Sequence, residues 1–288
     1  MNAKQRREYW LKVERMRLKL ERKYIPLIRG VLLDQASSFR KAYERDRMAA
    51  ISDLTVQAWD EELMKLFMQM HEEAYLLFAS ATNMTVRKEA MKLKPIGLLE
   101  RWTNFVKIWL RSFAFDLVST ITGNSRNILL DIVNRTVQEA MDEGWGNDQT
   151  TATVLARLKD EQYLYTEARA RRIVRTETTR AANKGHMQGA RDLPFEVSKI
   201  WVSAKDERTR GLTNPMGNHK HDQYDHWQLD GQEVDLETPF RSTSALGIEV
   251  DAEQPGDETA PAGFTINCRC RVAFEPKRDQ DGRLIMKT

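Results

Sequence analysis

Two cysteines one residue apart, Cys268 and Cys270, and the upstream His226 are the side chains in this sequence best suited to hold a metal. Thiolate and imidazole are donors that zinc prefers, and a bound ion would steady a loop-rich region with few strands of its own. His219 and His221 are further candidates. The single residue between the cysteines is tighter than the roughly two to four of common zinc motifs, but in an extended strand it sets both thiols on one face. The competing reading is two small buried side chains at a strand start, the commoner role of free cysteine. A disulfide between residues so close would be badly strained. Zinc is thus the one cofactor the sequence suggests, with Cys268, Cys270 and His226 as its ligands.

A second group is polar. The run from Arg171 to Arg180 is dense in arginine and threonine, with Glu177 inside it, and in a helix it sets Arg172, Thr176, Thr179 or Arg180, and Asn183 along one side. Such a face suits an anion, or an Arg-Glu catalytic centre. It equally suits Arg175 and Glu177 reaching the following loops and Asp206 or Asp230, pinning a fold that has little regular structure, and this structural reading is preferred. Arg208, Arg210, Asp206 and Asp230 belong with it. His226, Asp230 and Arg208 imitate a hydrolase or nuclease site, but there is no paired-carboxylate motif, no glycine-rich phosphate loop and no nucleophile in a familiar setting. No residue is assigned a catalytic role.

A third group is basic. Ten Lys or Arg against three Glu lie between Met1 and Arg29, an excess of seven, although the 288-residue chain as a whole is only +3. Arg6, Arg7, Lys12, Arg15, Lys19, Arg22 and Lys23 would contact DNA phosphates or an acidic partner, without base reading and with steep salt dependence. No apolar stretch is long enough to span a membrane, and no secretory leader is recognisable.

Positioning these groups falls to helices. From Lys4 to about Arg191 the chain is rich in Leu, Met, Ala, Glu, Lys and Arg, with Pro26 and Pro95 its only prolines. The first helix is expected to end near Tyr24 and the next to start at Pro26. Ser52 and Asp53 would cap a third, broken at Asn83 to Thr85. The segment from Ile96 to Ile121, with Trp102, Phe105, Val106, Trp109, Leu110, Phe113 and Phe115, is apolar on more than one face and would be central or lie in an interface. Gly123 to Ser125 would separate it from another helix ending at Gly144. After the turn at 144–148 come a short helix with Leu155 and Leu158 on one side and a further one from about Gln162 to Leu193. Beyond Phe195 the texture alternates: 196–203 and 269–274 read as strands separated by Gly, Pro, Asn, Asp and His clusters. The fold class is α+β, a long mostly helical N-terminal region followed by a small loop-rich α+β C-terminal domain. Its expected divisions are 1–160, 161–275 and a polar tail, 276–288.

Between Arg171 and Val272 the order of motifs is distinctive. It runs Arg171-Arg-Ile-Val-Arg-Thr-Glu-Thr-Thr-Arg180, Trp201 with Asp206-Glu-Arg-Thr-Arg210, His226-Trp-Gln-Leu-Asp-Gly231, Phe240, Pro255-Gly256-Asp257 and Ile266-Asn-Cys-Arg-Cys270. The ordered set resembles the C-terminal domain of the phage Mu F-like head-morphogenesis family, departing from it in an insertion at 211–225. The resemblance implies a minor capsid protein of a tailed phage, located in the phage head and in the host cytoplasm during assembly. Its implied partners are the portal protein, a major capsid or scaffold protein, and packaged DNA held non-specifically, with no membrane and no small-molecule substrate. An enzyme, a nuclease or toxin-like transferase using the Arg/Glu/His cluster, is the alternative.

Overall fold

The computed structural model describes residues 1–46, 54–91, 98–217, 222–243 and 247–287; of 54–58, 89–91 and 162–165 it describes the backbone alone. Four long helices come first: α1 (Ala3–Arg45), α2 (Leu54–Met91), α3 (Leu99–Glu143) and α4 (Asn147–Arg191). The strands follow, β1 (Val197–Val202), β2 (Glu233–Asp235), β3 (Phe240–Thr243), β4 (Glu249–Ala252) and β5 (Arg271–Pro276), with a single turn of helix, α5 (Ala262–Thr265), before β5. This is the expected α+β order. Among the described residues no helix is long and apolar enough to cross a membrane.

The helices are longer than their sequence signals predict. Pro26 sits inside α1 with its ring exposed, where water can serve the Arg22 carbonyl that proline leaves unbonded. Asn83 does not break α2: it is fully buried, and its Nδ2 donates to the Gly189 carbonyl at 3.1 Å. Gly123 to Ser125 lie within α3, where Ser125 Oγ donates to the Ile121 carbonyl at 3.1 Å, so its hydroxyl is satisfied without ending the helix. Residues 147–191 form one helix instead of two. The turn before it is as expected, with Gly144 at φ 71°. Ser52 and Asp53 lie outside the described residues.

The chain divides into two compact units, each assembled from separated stretches. One comprises Arg22–Gln69 and Leu110–Val174, and its described residues hold helices and no strand. Ala36, Phe39 and Tyr43 of α1, Trp59 of α2, Leu129, Ile132 and Val133 of α3, and Val154 and Leu158 of α4 make a shared core. Spacings of three or four along α1, α3 and α4 direct these side chains to one side of each helix.

The other unit comprises Met1–Glu21, Met70–Trp109 and Arg175–Thr288 and contains all the strands found among the described residues. Its three-stranded sheet has the order β2-β1-β5, all antiparallel, and β3 pairs with β4 separately. The central strand β1 is buried along its whole length. Val197 and Trp201 belong to the larger core with Phe240, Phe264 and Phe274. Ile200 and Val202 join Trp10 of α1 and Ala273 on the opposite side. A strand covered on both faces reads as continuously apolar, and Val-Ile-Trp-Val around Lys199 nearly does. Lys199 sits in the core with Nζ donating to the Glu253 carbonyl at 2.7 Å and lying 5.0 Å from the Phe240 ring centre. Burial pushes its pKa down to about 8.

In this unit α4 crosses α2 at backbone contact distance. A Cβ built on Gly185 would meet the Tyr75 carbonyl oxygen at 2.3 Å, and one on Gly189 the Ala79 oxygen at 2.3 Å. Two glycines four apart clear one side of α4, and that gap lets two main chains approach.

Candidate metal centre

His226 stands on the loop between β1 and β2, where its own N–H and that of Trp227 both donate to the Arg210 carbonyl, at 2.9 and 3.0 Å. Its carbonyl accepts the Ser203 hydroxyl. Its ring is held between aromatic neighbours, with the Phe264 centroid at 4.4 Å and that of Trp201 at 5.5 Å. Cys268 and Cys270 lie just before β5, after Asn267 turns the chain at φ 62°. Asn267 is fixed there by Thr176 Oγ1, which accepts its N–H at 2.8 Å, and by Arg175 NH1, which donates to its Oδ1 at 2.9 Å. The arginine-rich helix therefore sets the position of the cysteine segment.

The three side chains converge. His226 Nδ1 is 3.6 Å from Sγ of Cys268 and 3.6 Å from Sγ of Cys270, and all three donor atoms lie within 4.8 Å of one another. A tetrahedral zinc with ordinary bond lengths sets an imidazole nitrogen and a thiolate about 3.6 Å apart. The donor set and its spacing therefore fit zinc, and all three residues are buried. Cys270's hydrogen bond holds the Cys268 thiol well below the ordinary range, with His226 assisting, while burial and the Cys268 charge push Cys270 up. A metal ion held here would take both cysteines as thiolates, so its binding would release the Cys270 proton. His219 and His221 lie outside the described residues. Purified protein is expected to carry about one zinc per chain, and Cys268→Ser or Cys270→Ser to lose it, as elemental analysis would read. Wild type isolated without metal after growth in zinc would count against the assignment.

The polar residues pair differently from the sequence expectation. Asp206 takes both guanidinium nitrogens of Arg269, and its Oδ1 also accepts the Arg208 N–H at 3.0 Å. Asp230 accepts Arg6 at 3.0 and 3.2 Å and the Ser203 N–H at 2.9 Å. Arg175 reaches Glu21 and Asn267, and Glu177 is held by His71 at 3.1 Å and Arg180 at 2.6 Å. Neither bonds to Asp206 or Asp230. Arg210 donates to the carbonyls of Phe264 and Ile266, at 2.7 and 3.0 Å. Arg208 and His226 line one cavity whose lining does not include Glu177.

The family motifs have local reasons. Asn183 Nδ2 donates to the Thr179, Pro255 and Cys270 carbonyls, and its Oδ1 accepts the Val272 N–H at 3.0 Å, so one amide ties α4 to the Pro-Gly-Asp loop and to β5. Gly256, at φ 81°, would bring a Cβ within 3.1 Å of Arg180 Cα. A network that the motifs do not announce lies beneath α1. Arg17 and Arg271 are buried, Glu14 bridges them, and Glu21 joins Arg17. Burial pulls Glu14 upward, but the Arg17 hydrogen bonds and the Arg271 and Arg17 charges hold it at about 2. The Glu14-x-x-Arg17-x-x-x-Glu21 spacing was the available signal, masked by the basic character of the arm.

Within that arm, Arg6 bonds Asp230, and Arg7 donates to the Ala204 carbonyl at 2.6 Å and lies over Trp10. Lys12, Arg15, Lys19, Arg22 and Lys23 are exposed, and their spacing puts them on one side of α1.

Four long helices, a small antiparallel sheet and a buried Cys-x-Cys/His cluster pinned by an arginine-threonine helix define a mixed α+β protein with a candidate metal centre. Residues 131–273 match the family model described as Phage Mu protein F like protein, and through this segment the chain belongs to that family, a structural family of phage head morphogenesis. Comparison with curated proteins and with solved structures gives no match.

Proposed function

We propose that this chain is a minor capsid protein of a tailed bacteriophage that docks on the portal protein at the portal vertex during procapsid assembly. The observation behind this reading is the outer side of α3. Trp102, Val106 and Leu110 are buried, whereas Phe105 is 43% exposed and Ile108 and Phe115 are each 66% exposed. These three follow spacings of three and seven, as a seam for a partner helix requires. Lys107 and Arg111 stand exposed beside them and favour an acidic rim on the partner. The role is one of binding, divided among the helical region 1–160, which meets the capsid components, the family domain 161–275, which holds the metal centre, and the tail 276–288. The exposed basic side of α1 from Lys12 to Lys23 contacts packaged DNA through phosphates alone.

Co-expression with the portal protein encoded in the same phage tests this. A stoichiometric complex that survives high salt is expected, and Phe105→Ser with Ile108→Ser should weaken it about 100-fold or more, as truncation of two central apolar anchors does. No complex with the wild-type chain, together with nuclease or transferase turnover that fails in Arg208→Ala, would replace this reading with the enzymatic one.

A further inference from the structure

Beside the candidate metal ligands lies a cavity of about 180 Å³, lined by His226, Cys268 and Cys270 themselves and by Arg208, Arg210, Arg269 and Asp222. Three protein ligands leave a tetrahedral metal one position to fill, and structural zinc sites normally fill it with a fourth side chain. Among the described residues no fourth Cys, His or carboxylate joins the cluster. The cavity supplies cations instead. Arg269 is neutralised by Asp206. Arg210 spends its donors on two carbonyls, and neutral acceptors leave its charge uncompensated. Arg208 is exposed, and its guanidinium donates no hydrogen bond among the described residues. Among the described residues that line the cavity Asp222 is the one carboxylate, and its Oδ2 is engaged by the Gly211 N–H at 3.0 Å. A divalent ion with two thiolates and a neutral imidazole carries no net charge, so the arginines decide which ligand is drawn in.

We propose that this cavity is a phosphate-binding site in which the metal held by His226, Cys268 and Cys270 takes a phosphate oxygen as its remaining ligand and Arg208 clamps the same group. The inference rests on the metal reading of that triad. Arginine suits the role because its planar donors match phosphate oxygens two at a time. The phosphate is supplied either as the free ion or by a nucleic-acid backbone, and the two share this chemistry.

The full chain loaded with cobalt in place of zinc reports the coordination sphere through its visible absorption. Adding inorganic phosphate is expected to shift that spectrum saturably, and Arg208→Ala to weaken the shift about tenfold while leaving cobalt uptake unchanged. A short DNA duplex that shifts the spectrum as phosphate does assigns the backbone as source; a response to phosphate alone assigns the free ion. Cobalt uptake with a spectrum indifferent to both overturns the proposal, as does an Asp222→Ala spectrum that differs from wild type before any phosphate is added, since Asp222 would then be the fourth ligand. Failure to take up cobalt at all removes the metal reading and this inference with it.

Discussion

Gly189→Ala and Gly185→Ala are each expected to destabilise the strand-bearing unit by about 3 kcal/mol or more, opposite in sign to what helix propensity predicts. In an open helix, alanine is favoured over glycine by about 1 kcal/mol, because glycine loses more backbone freedom on folding. Here the added methyl would lie 2.3 Å from a main-chain carbonyl oxygen of α2, an atom that cannot rotate aside as a side chain does. Relief requires the two helices to part. Parting would break the bond from Asn83 to the Gly189 carbonyl and disturb the packing of His186 between them. Overpacking of about one methyl commonly costs 1–3 kcal/mol, and rigid backbone contact belongs at or beyond the upper end. Gly123→Ala in α3 supplies the control, since nothing lies within 4 Å of its Cβ, and it should stabilise by about 0.5–1 kcal/mol. Urea titrations followed by circular dichroism compare the three. Equal, mild effects at Gly185, Gly189 and Gly123 would mean that the close crossing is not formed.

The same crossing shows where sequence reasoning succeeds and where it stops. Helix content was legible because composition and apolar spacing agree over long stretches, and the change of texture at Phe195 was legible because alternation replaces it. The breaks at Pro26, Asn83 and Gly123 were wrong for a common reason. In isolation asparagine disfavours a helix by about 0.7 kcal/mol, glycine by about 1 and proline by about 3, but packing along a helix of some forty residues outweighs one such site. Asn83 shows it best, since a residue read as a breaker is a cross-helix hydrogen-bond donor. Cys268, Cys270 and His226 could be nominated because few residue types bind zinc. The partners of Asp206 and Asp230 could not be, because Arg269 and Arg6 lie 63 and 224 residues away along the chain, and many arginines compete for each carboxylate. Two compact units built from interleaved segments also leave no boundary in composition, since each long helix contributes to both.

Acid should unfold the strand-bearing unit well before its surface carboxylates are all protonated, and His186 is the residue expected to set the onset. It is buried, its Nδ1 is hydrogen-bonded to the Thr82 hydroxyl, and its ring lies 4.9 Å from that of Phe78. Nε2 has no hydrogen-bond partner among the described residues. Burial, with the Arg271 charge adding to it, pushes the His186 pKa down from 6.5 to about 3. A base with a depressed folded pKa stays neutral while its unfolded counterpart takes up a proton, so its contribution is intact above pH 6.5 and is lost progressively as pH falls toward 3. Over that interval the loss is about 5 kcal/mol, comparable to the whole stability of many domains. Glu14 adds to it at the lower end: with its pKa held at about 2 against an ordinary 4.5, it withdraws support between those values. Removing both polar partners together, Thr82→Val with His186→Phe, leaves no orphaned donor and abolishes the first titration while keeping the second. Stability measured by urea at pH 7, 5.5 and 4.5 should fall with pH in the wild type by about 1.4 kcal/mol per unit more than in the double variant. Parallel curves would transfer the acid sensitivity to other groups and imply that water reaches His186 in the folded chain.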